Sequence, residues 1–289
     1  MTPAEGSAHV DPLISFVGAG PGAPDLMTLR GADRLARADV VVWASSLVPD
    51  AVLAHANAGA AVHDSAAMTL EDVLAVYAAN PEARIVRLHS GDPSLYGAIG
   101  EQIEWCVAND RTFEIVPGVS SVSAAAAVLG KELTVPGVSQ SVVLTRLASR
   151  TAESVPDGDT MATFAAAPCT LAVFLSAARP EALQHELLAP PSALRPDTPA
   201  AIVIRVSWPD EQVIETTVGN LADDIRRTGA TKTVLVLVGD ALAGAGALRS
   251  HLYSPGFAHA FRRRSAPGTT KGRPAATGRV ITGRRATGG

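Results

Sequence analysis

The stretch Gly18-Ala19-Gly20-Pro21-Gly22-Ala23 decides the fold of this 289-residue chain. It follows a short apolar run, Leu13–Val17, which predicts a buried strand. After it comes a helical pattern that Asp25 is expected to cap and that continues to about Ala38, with Leu26, Leu29 and Leu35 on its apolar face. Glycine has no Cβ and tolerates positive φ, so the loop between strand and helix allows backbone to approach a ligand closely.

The same order of strand, small-residue turn and helix recurs twice. Arg84–Leu88 predicts a strand, and His89-Ser90-Gly91-Asp92-Pro93-Ser94-Leu95-Tyr96-Gly97 follows it. Phe113–Val116 predicts another, which ends in Pro117-Gly118-Val119-Ser120-Ser121 and a helix of small residues. Ligands of open α/β sheets bind at the carboxyl ends of strands, so the three turns are expected to converge on one crevice.

These patterns predict an α/β fold of two α/β domains with a ligand cleft between them, the first sheet mostly parallel and the second mixed. The first domain is expected over residues 12–132 and the second over 139–248, joined through Lys131–Ser139. Ala200–Val206 and Gln212–Val218 have no helix between them, which predicts a hairpin. Further strands are expected at Val40–Trp43, Ser141–Thr145, Leu171–Leu175 and Thr233–Val238, and helices from the capping box of Thr69 and Asp72, near Arg179–Leu188 and at Leu221–Thr228.

Charge is distributed unevenly along the chain. Residues 262–289 carry eight basic residues and no acidic one, so the net charge of −4 leaves about −12 on residues 1–261. An acidic body repels a phosphate backbone, which disfavours nucleic acid as a partner. The tail is rich in Gly, Pro, Ala and Thr and is expected to be a basic disordered extension.

The remaining global features favour a cytoplasmic protein without metal. Cys106 and Cys169 are far apart and form no CxxC pair, so neither a zinc site nor a disulfide framework is expected. No lysine or arginine precedes Arg30, which argues against a signal peptide. No uncharged apolar stretch approaches the ~20 residues that a membrane span requires.

The first glycine loop also fits the dinucleotide pattern G-x-G-x-x-A, so a nicotinamide-dependent oxidoreductase is one hypothesis. Pro21 lacks the N–H that a pyrophosphate would use. The acidic residue expected after the second strand is absent from Trp43-Ala44-Ser45-Ser46. Both observations disfavour this hypothesis, and a tight structural turn remains a further interpretation of the loop.

Taken in order, GAGPG, GDPSLYG and PGVSS resemble the tetrapyrrole (corrin/porphyrin) methylase family. Longer segments within residues 13–261 are most similar to members that methylate precorrin-4 at C11. These segments are Ser45-Ser46-Leu47-Val48-Pro49, residues 87–96, Pro136-Gly137-Val138-Ser139-Gln140, Ser207-Trp208-Pro209-Asp210-Glu211-Gln212 and Ser250-His251-Leu252-Tyr253. The resemblance implies a homodimer that transfers a methyl group from S-adenosyl-L-methionine to C11 of precorrin-4 or cobalt-precorrin-4. Another ring position and a non-catalytic tetrapyrrole carrier are the alternatives.

The resemblance also implies a set of residues around S-adenosylmethionine in the cleft. They are Pro21, Ser90, Gly91, Asp92, Leu95, Tyr96, Ser120, Ser121, Leu175, Val206, Thr233 and Val234. Many relatives have Thr-Ala where this chain has Ser120-Ser121. Methyl transfer from a sulfonium asks mainly for alignment of the nucleophilic carbon and exclusion of water, and no catalytic residue is assigned beyond Asp92 as a weak general-base candidate.

A precorrin carries several carboxylates, so an acidic protein is expected to place cations near the cleft. By their position at strand ends, the substrate-binding candidates are His89, Arg146 and Arg205, with Arg30 and Arg87 as weaker ones. For each of them an ordinary surface charge, or for His89 a satisfied polar residue beside the turn, is the competing interpretation.

Overall fold

Residues 14–147, 158, 160–244 and 257 are described in the computed structural model of the protein, and they form two five-stranded sheets. The first sheet has the order β3-β2-β4-β1-β5, and all four of its strand pairs are parallel. Its strands are β1 (Ile14–Gly18), β2 (Val40–Trp43), β3 (Ala61–Asp64), β4 (Ile85–His89) and β5 (Phe113–Val116). The carboxyl ends of β1, β4 and β5 are therefore neighbours.

Helices cover both faces of the first sheet, which explains its continuous apolar strands. They are α1 (Leu29–Ala36), α2 (Leu70–Ala79) and α3 (Gly100–Ala108), and a fourth helix, α4 (Ser121–Leu129), follows β5. Val17 points to the face where Leu35 of α1 packs, and its neighbour Phe16 points to the opposite face, where Tyr77 of α2 and Cys106 of α3 are buried. This period-two alternation buries every residue of β1.

The second sheet is mixed, as predicted. Its order is β6-β7-β10-β8-β9, with β6 and β7 parallel and the other neighbours antiparallel. The predicted hairpin is confirmed as β8 and β9. The strands are β6 (Val142–Arg146), β7 (Thr170–Phe174), β8 (Pro199–Ile204), β9 (Gln212–Thr217) and β10 (Val234–Val238), and the helices are α5 (Met161–Phe164), α6 (Pro180–Leu188) and α7 (Leu221–Thr228).

Strand directions in the second sheet determine which ends meet at one edge. Because β7 and β8 both run antiparallel to β10, their carboxyl ends lie beside the amino end of β10. One face of this sheet is covered by α6 and α7, and on the other face Val122 and Ala125 of α4 pack against Ala201 and Leu237. Helix α4 thus begins at the third small-residue turn of the first sheet and ends on the second sheet. The domain boundary expected between residues 132 and 139 stays a prediction.

The predicted start of the first helix is wrong. Pro24–Leu26 form a short 3-10 turn, and the chain is extended at Met27 and Thr28. The α-helix begins at Leu29, where the Thr28 hydroxyl, and not Asp25, accepts a hydrogen bond from the Gly31 amide at 3.1 Å. This later start rotates Leu29 to the surface, where it is 92% exposed, whereas Leu35 is fully buried as expected.

Two further elements escaped sequence analysis. Strand β3 is an edge strand, and three of its four residues are exposed, so no apolar alternation marks it. Helix α5 has only four residues. The capping box of Thr69 and Asp72 is confirmed at the start of α2. The basic tail predicted over residues 262–289 lies outside the described residues, and no helix in the described part is long and apolar enough to cross a membrane.

Candidate functional site

The three small-residue turns lie against one another, backbone to backbone. A Cβ built on Gly118 would lie 2.0 Å from the carbonyl oxygen of Gly91, and one on Gly18 would lie 2.5 Å from the Cα of Gly118. Real Cβ atoms do not approach other atoms so closely, so glycine at these positions is what allows the turns to meet. The convergence expected from the sequence is therefore present at the ends of β1, β4 and β5.

Hydrogen bonds connect these turns. The Gly91 amide donates to the Gly20 carbonyl at 2.8 Å, and the Gly20 amide donates back to the Gly91 carbonyl at 3.3 Å. Both carboxylate oxygens of Asp92 accept from backbone: Oδ1 from the Ser94 amide at 2.8 Å and Oδ2 from the Gly118 amide at 2.9 Å. Asp92 thus ties the second turn to the third.

A cavity of about 260 Å³ opens between these turns and the strand ends of the second sheet. Nine of the twelve residues expected around the cofactor line it: Pro21, Ser90, Leu95, Tyr96, Ser121, Leu175, Val206, Thr233 and Val234. Sequence reasoning missed a further eight: Leu47, Phe174, Ser176, Ala177, Val203, Thr231, Lys232 and Leu235. Leu47 lies in a segment that carries the family resemblance, and Thr231 and Lys232 directly precede two predicted residues, so these three had a sequence signal.

The other three expected residues stand just behind the cavity wall. Gly91 adopts φ +65° and is packed between the glycine turns. Asp92 has both oxygens occupied as described above. The Ser120 hydroxyl caps α4 by accepting from the Val122 amide at 3.3 Å. Their neighbours Ser90 and Ser121 face the cavity, so these residues position its lining.

Backbone strain is concentrated around this cavity. Of the seven non-glycine residues with positive φ in the described part, five line the cavity or flank the lining residue Val206: Tyr96, Leu175, Arg205, Ser207 and Thr233. Each such conformation costs on the order of 1–3 kcal/mol and persists only where tertiary contacts impose it. Leu175 shows the result, because this apolar side chain is held 67% exposed at the cavity. Such strain is typical of a ligand site.

The second sheet also holds the first glycine loop in place. The Trp208 indole donates to the Pro21 carbonyl, and the Ser207 hydroxyl accepts from the Ala23 amide at 2.9 Å. Across the cavity, the rings of Tyr96 and Phe174 are in contact, with centroids 5.1 Å apart. Elements that are distant in sequence therefore close the cavity from both sides.

The prediction that His89 supplies a positive charge is wrong. His89 ends β4 with 7% exposure and packs beside Phe16. Its burial, with a smaller contribution from nearby Arg87, lowers the pKa of the imidazole from 6.5 to about 3. The ring is therefore neutral at neutral pH, and it does not line the cavity.

The arginines expected near the cleft do not line the cavity either. Arg205 forms an ion pair with Asp210, and its guanidinium lies 5.6 Å from the centre of the Trp208 ring. Arg146 ends β6, half-buried and paired in register with the cavity residue Phe174. Arg87 donates to the Ser65 hydroxyl at 2.7 Å, and Arg30 is exposed on α1. Lys232, which was not predicted, is the charged residue among the lining residues.

Residues 13–222 match the model of the family described as Tetrapyrrole (Corrin/Porphyrin) Methylases. The chain belongs to the tetrapyrrole methylase family. A precorrin-4 C(11)-methyltransferase of Mycobacterium tuberculosis (strain CDC 1551 / Oshkosh) is 42% identical over 243 residues, which cover 83% of this chain and 96% of that protein. This match extends the family resemblance well beyond the three turns.

Two solved tetrapyrrole methylase structures share the fold. A cobalt precorrin-4 methyltransferase superposes with a TM-score of 0.75 at 40% identity, over 79% of this chain and 95% of the other. A uroporphyrin-III C-methyl transferase from Thermus thermophilus, complexed with S-adenyl homocysteine, gives a TM-score of 0.67 at 27% identity, over 80% and 99%. Membership of this family removes the nicotinamide-dependent alternative. No cluster of three or more metal-ligating side chains occurs within the described residues.

Proposed function

We propose that this protein transfers a methyl group from S-adenosylmethionine to C11 of precorrin-4, or of cobalt-precorrin-4, in the biosynthesis of cobalamin. One observation carries the proposal: the three glycine turns and the strand ends of the second sheet form a single cavity in a chain 42% identical to a precorrin-4 C(11)-methyltransferase. A non-catalytic carrier would bind only the tetrapyrrole, so it would not need closely packed turns around a second ligand such as S-adenosylmethionine.

The cavity fits S-adenosylmethionine chemically. Leu95, Leu175 and Val206 offer apolar contacts for a nucleoside base, and Ser90 and Ser121 add hydroxyl-bearing side chains to the lining. Ser176 also lines the cavity, and its buried hydroxyl has no hydrogen-bond partner among the described residues. An unsatisfied buried hydroxyl costs about 1–3 kcal/mol, so a ligand that bonded to it would offset that cost.

When bound, S-adenosylmethionine supplies an electrophilic methyl group on a sulfonium. The protein's own residues position the reactants and exclude water from the site. The glycine stack fixes Pro21 and Ser90 on one side, while the strained backbone at Leu175 and Thr233 fixes the other side. Apolar lining excludes water, and rigid lining orients a nucleophilic carbon for attack.

General acid–base chemistry has little place in this site. The lining residues include no histidine, aspartate or glutamate among the part of the chain described here. Asp92, the weak candidate for a general base, already accepts two backbone hydrogen bonds. We therefore propose that this protein accelerates transfer through alignment, without a carboxylate or an imidazole at the reacting carbon.

Labelled methyl transfer tests the proposal directly. Purified protein is incubated with methyl-labelled S-adenosylmethionine and with precorrin-4 or cobalt-precorrin-4 prepared enzymatically, and NMR locates the new methyl group. We expect a single methyl at C11 in at least one of the two substrates. A methyl at another ring carbon would assign the protein to a different step, and an absence of S-adenosylhomocysteine binding would contradict the methyltransferase assignment.

We also propose that the protein is a homodimer, as the family resemblance implies, and that it is cytoplasmic. Both cysteines are free and buried, which agrees with a reducing compartment. Light scattering on the full chain measures the mass, and a value of twice 29.6 kDa is expected for the dimer. A monomeric mass, or recovery of the protein in a membrane or extracellular fraction, would contradict these two points.

A further inference from the structure

Lys232 is the charged side chain among the described residues that line the cavity. It is exposed, and it has no ion-pair partner within the described residues. The remaining lining is made of apolar and hydroxyl-bearing residues together with backbone. A lone ammonium group in such a place is suited to an anionic group of a ligand.

The backbone beside Lys232 is held firmly. Gly229 ends α7 in the left-handed conformation, and only four residues separate it from the start of β10 at Val234. Thr233 adopts φ +55°, and its carbonyl accepts a hydrogen bond from the Arg205 amide at 2.9 Å. The short connection therefore fixes the Cα of Lys232 at the cavity.

The acids of the neighbouring segment already have partners. Asp210 forms its ion pair with Arg205, and Glu211 accepts a hydrogen bond from the Ser207 amide at 2.6 Å. The arrangement thus neutralises Arg205 and leaves the charge of Lys232 available. Residues 1–261 carry an excess of acidic side chains, so a cation at the cavity without an acidic partner among the described residues makes the local charge there opposite to that of the rest of the protein.

We propose that Lys232 binds a carboxylate of a ligand in this cavity. The inference rests on the proposed function, since both proposed ligands carry carboxylates: one on the methionine end of S-adenosylmethionine, and several on the tetrapyrrole. The ammonium group forms a charge-assisted hydrogen bond to either of them. Lys232 therefore contributes to ligand affinity and orientation.

Two binding measurements identify the carboxylate. Calorimetry compares S-adenosylhomocysteine with 5′-methylthioadenosine, which keeps the nucleoside but lacks the amino acid. Fluorescence titration with uroporphyrin III supplies a stable tetrapyrrole polycarboxylate. Both are carried out on wild type, Lys232→Gln and Lys232→Arg, with Lys131→Gln as a control, because Lys131 lies outside the cavity lining and its ammonium group lies 3.9 Å from a carboxylate oxygen of Glu215.

We expect Lys232→Gln to lower the affinity for one of the two carboxylate probes, S-adenosylhomocysteine or uroporphyrin III, by about five- to tenfold, because the charged contact is exposed. Lys232→Arg should retain most of the affinity. Weaker binding of S-adenosylhomocysteine with unchanged binding of 5′-methylthioadenosine would identify the methionine carboxylate as the partner of Lys232. Weaker binding of uroporphyrin III would identify a carboxylate of the tetrapyrrole. Unchanged affinity for both probes, or an equal loss in Lys131→Gln, overturns the inference. If the wild-type protein binds uroporphyrin III but not S-adenosylhomocysteine, the proposed function alone is contradicted. If it binds neither probe, both the proposed function and the inference about Lys232 are overturned.

Discussion

The indole Nε1 of Trp208 donates a hydrogen bond to the carbonyl oxygen of Pro21 at 3.0 Å. This contact joins the segment after β8 to the first glycine loop, and it depends on Gly22, where a Cβ would lie 2.2 Å from the indole Cδ1. The guanidinium of Arg205 lies near the same indole, 5.6 Å from its ring centre. The position of Pro21 at the cavity is therefore set by a residue 187 positions later in the chain.

Trp208→Phe removes this hydrogen bond and keeps an aromatic ring. We expect the free energy of unfolding to fall by about 1 kcal/mol and the affinity for S-adenosylhomocysteine to fall about fivefold, because Pro21 loses its anchor. Trp105→Phe is the matched control, since Trp105 packs against Tyr77 on the far face of the first sheet. Calorimetry and urea unfolding measure both variants, and equal affinities would show that the indole contact does not position the loop.

Gly118→Ala tests the stack of glycine turns. The new methyl would lie 2.0 Å from the Gly91 carbonyl oxygen, so the second and third turns must separate. We expect a loss of about 1–3 kcal/mol of stability and loss of detectable S-adenosylhomocysteine binding. Gly100→Ala serves for comparison, because a Cβ at Gly100 meets nothing within 4 Å. A Gly118→Ala protein with wild-type affinity would contradict the view that this contact shapes the cavity.

Substitutions of Asp92 distinguish a structural from a catalytic role for this residue. If it only ties Gly118 to the second turn, Asp92→Ala should lower the free energy of unfolding by about 1–3 kcal/mol, and Asp92→Asn should recover part of that loss through its remaining carbonyl oxygen. The turnover rate of Asp92→Asn should then keep the pH profile of wild type. A stable Asp92→Asn protein whose turnover drops by orders of magnitude would instead identify Asp92 as a general base.

His89 predicts a dependence of stability on pH. Its pKa is about 3 in the folded protein and 6.5 when unperturbed, so below pH 6.5 the unfolded chain binds the extra proton. The free energy of unfolding should therefore decrease as pH falls from 6.5 towards 3, by up to about 1.4 kcal/mol per pH unit from this residue. Replacing the imidazole by an apolar side chain, His89→Leu, should remove that component. Urea unfolding at pH 7.5 and pH 4.5 measures it, and an identical loss in both proteins would show that His89 is not held neutral.

Most strands could be predicted because their residues are buried on both faces. Val40–Trp43, which is buried throughout, was predicted with its observed bounds, since a run of apolar residues has no other stable place in an α/β protein. The bounds of Phe113–Val116 were also as predicted, although this strand lies at the edge of the sheet and only Val116 is buried. Edge strand β3 lacked that signal. The start of α1 was misplaced because Asp25 and Thr28 are both acceptable caps, and only the extended backbone at Met27 decides between them.

The site residues could likewise be predicted only in part. Residues in the small-residue turns, such as Ser90 and Ser121, could be located from motifs whose composition reflects a backbone requirement. The cations could not, because a strand-end position does not reveal whether a charge is buried, paired or available. His89 became neutral through burial, Arg205 was paired by Asp210, and Lys232 was left available.

By itself, the sequence determined that three glycine-bearing turns follow three strands of an α/β protein of the tetrapyrrole methylase type, because glycine spacing and apolar runs record local backbone requirements. Only the tertiary structure decided what surrounds those turns. The Trp208 contact to Pro21, the positive φ at Leu175 and Thr233, and the position of Lys232 at the cavity depend on how distant segments pack. Packing energies are shared among residues far apart in the chain, so no local pattern can record them.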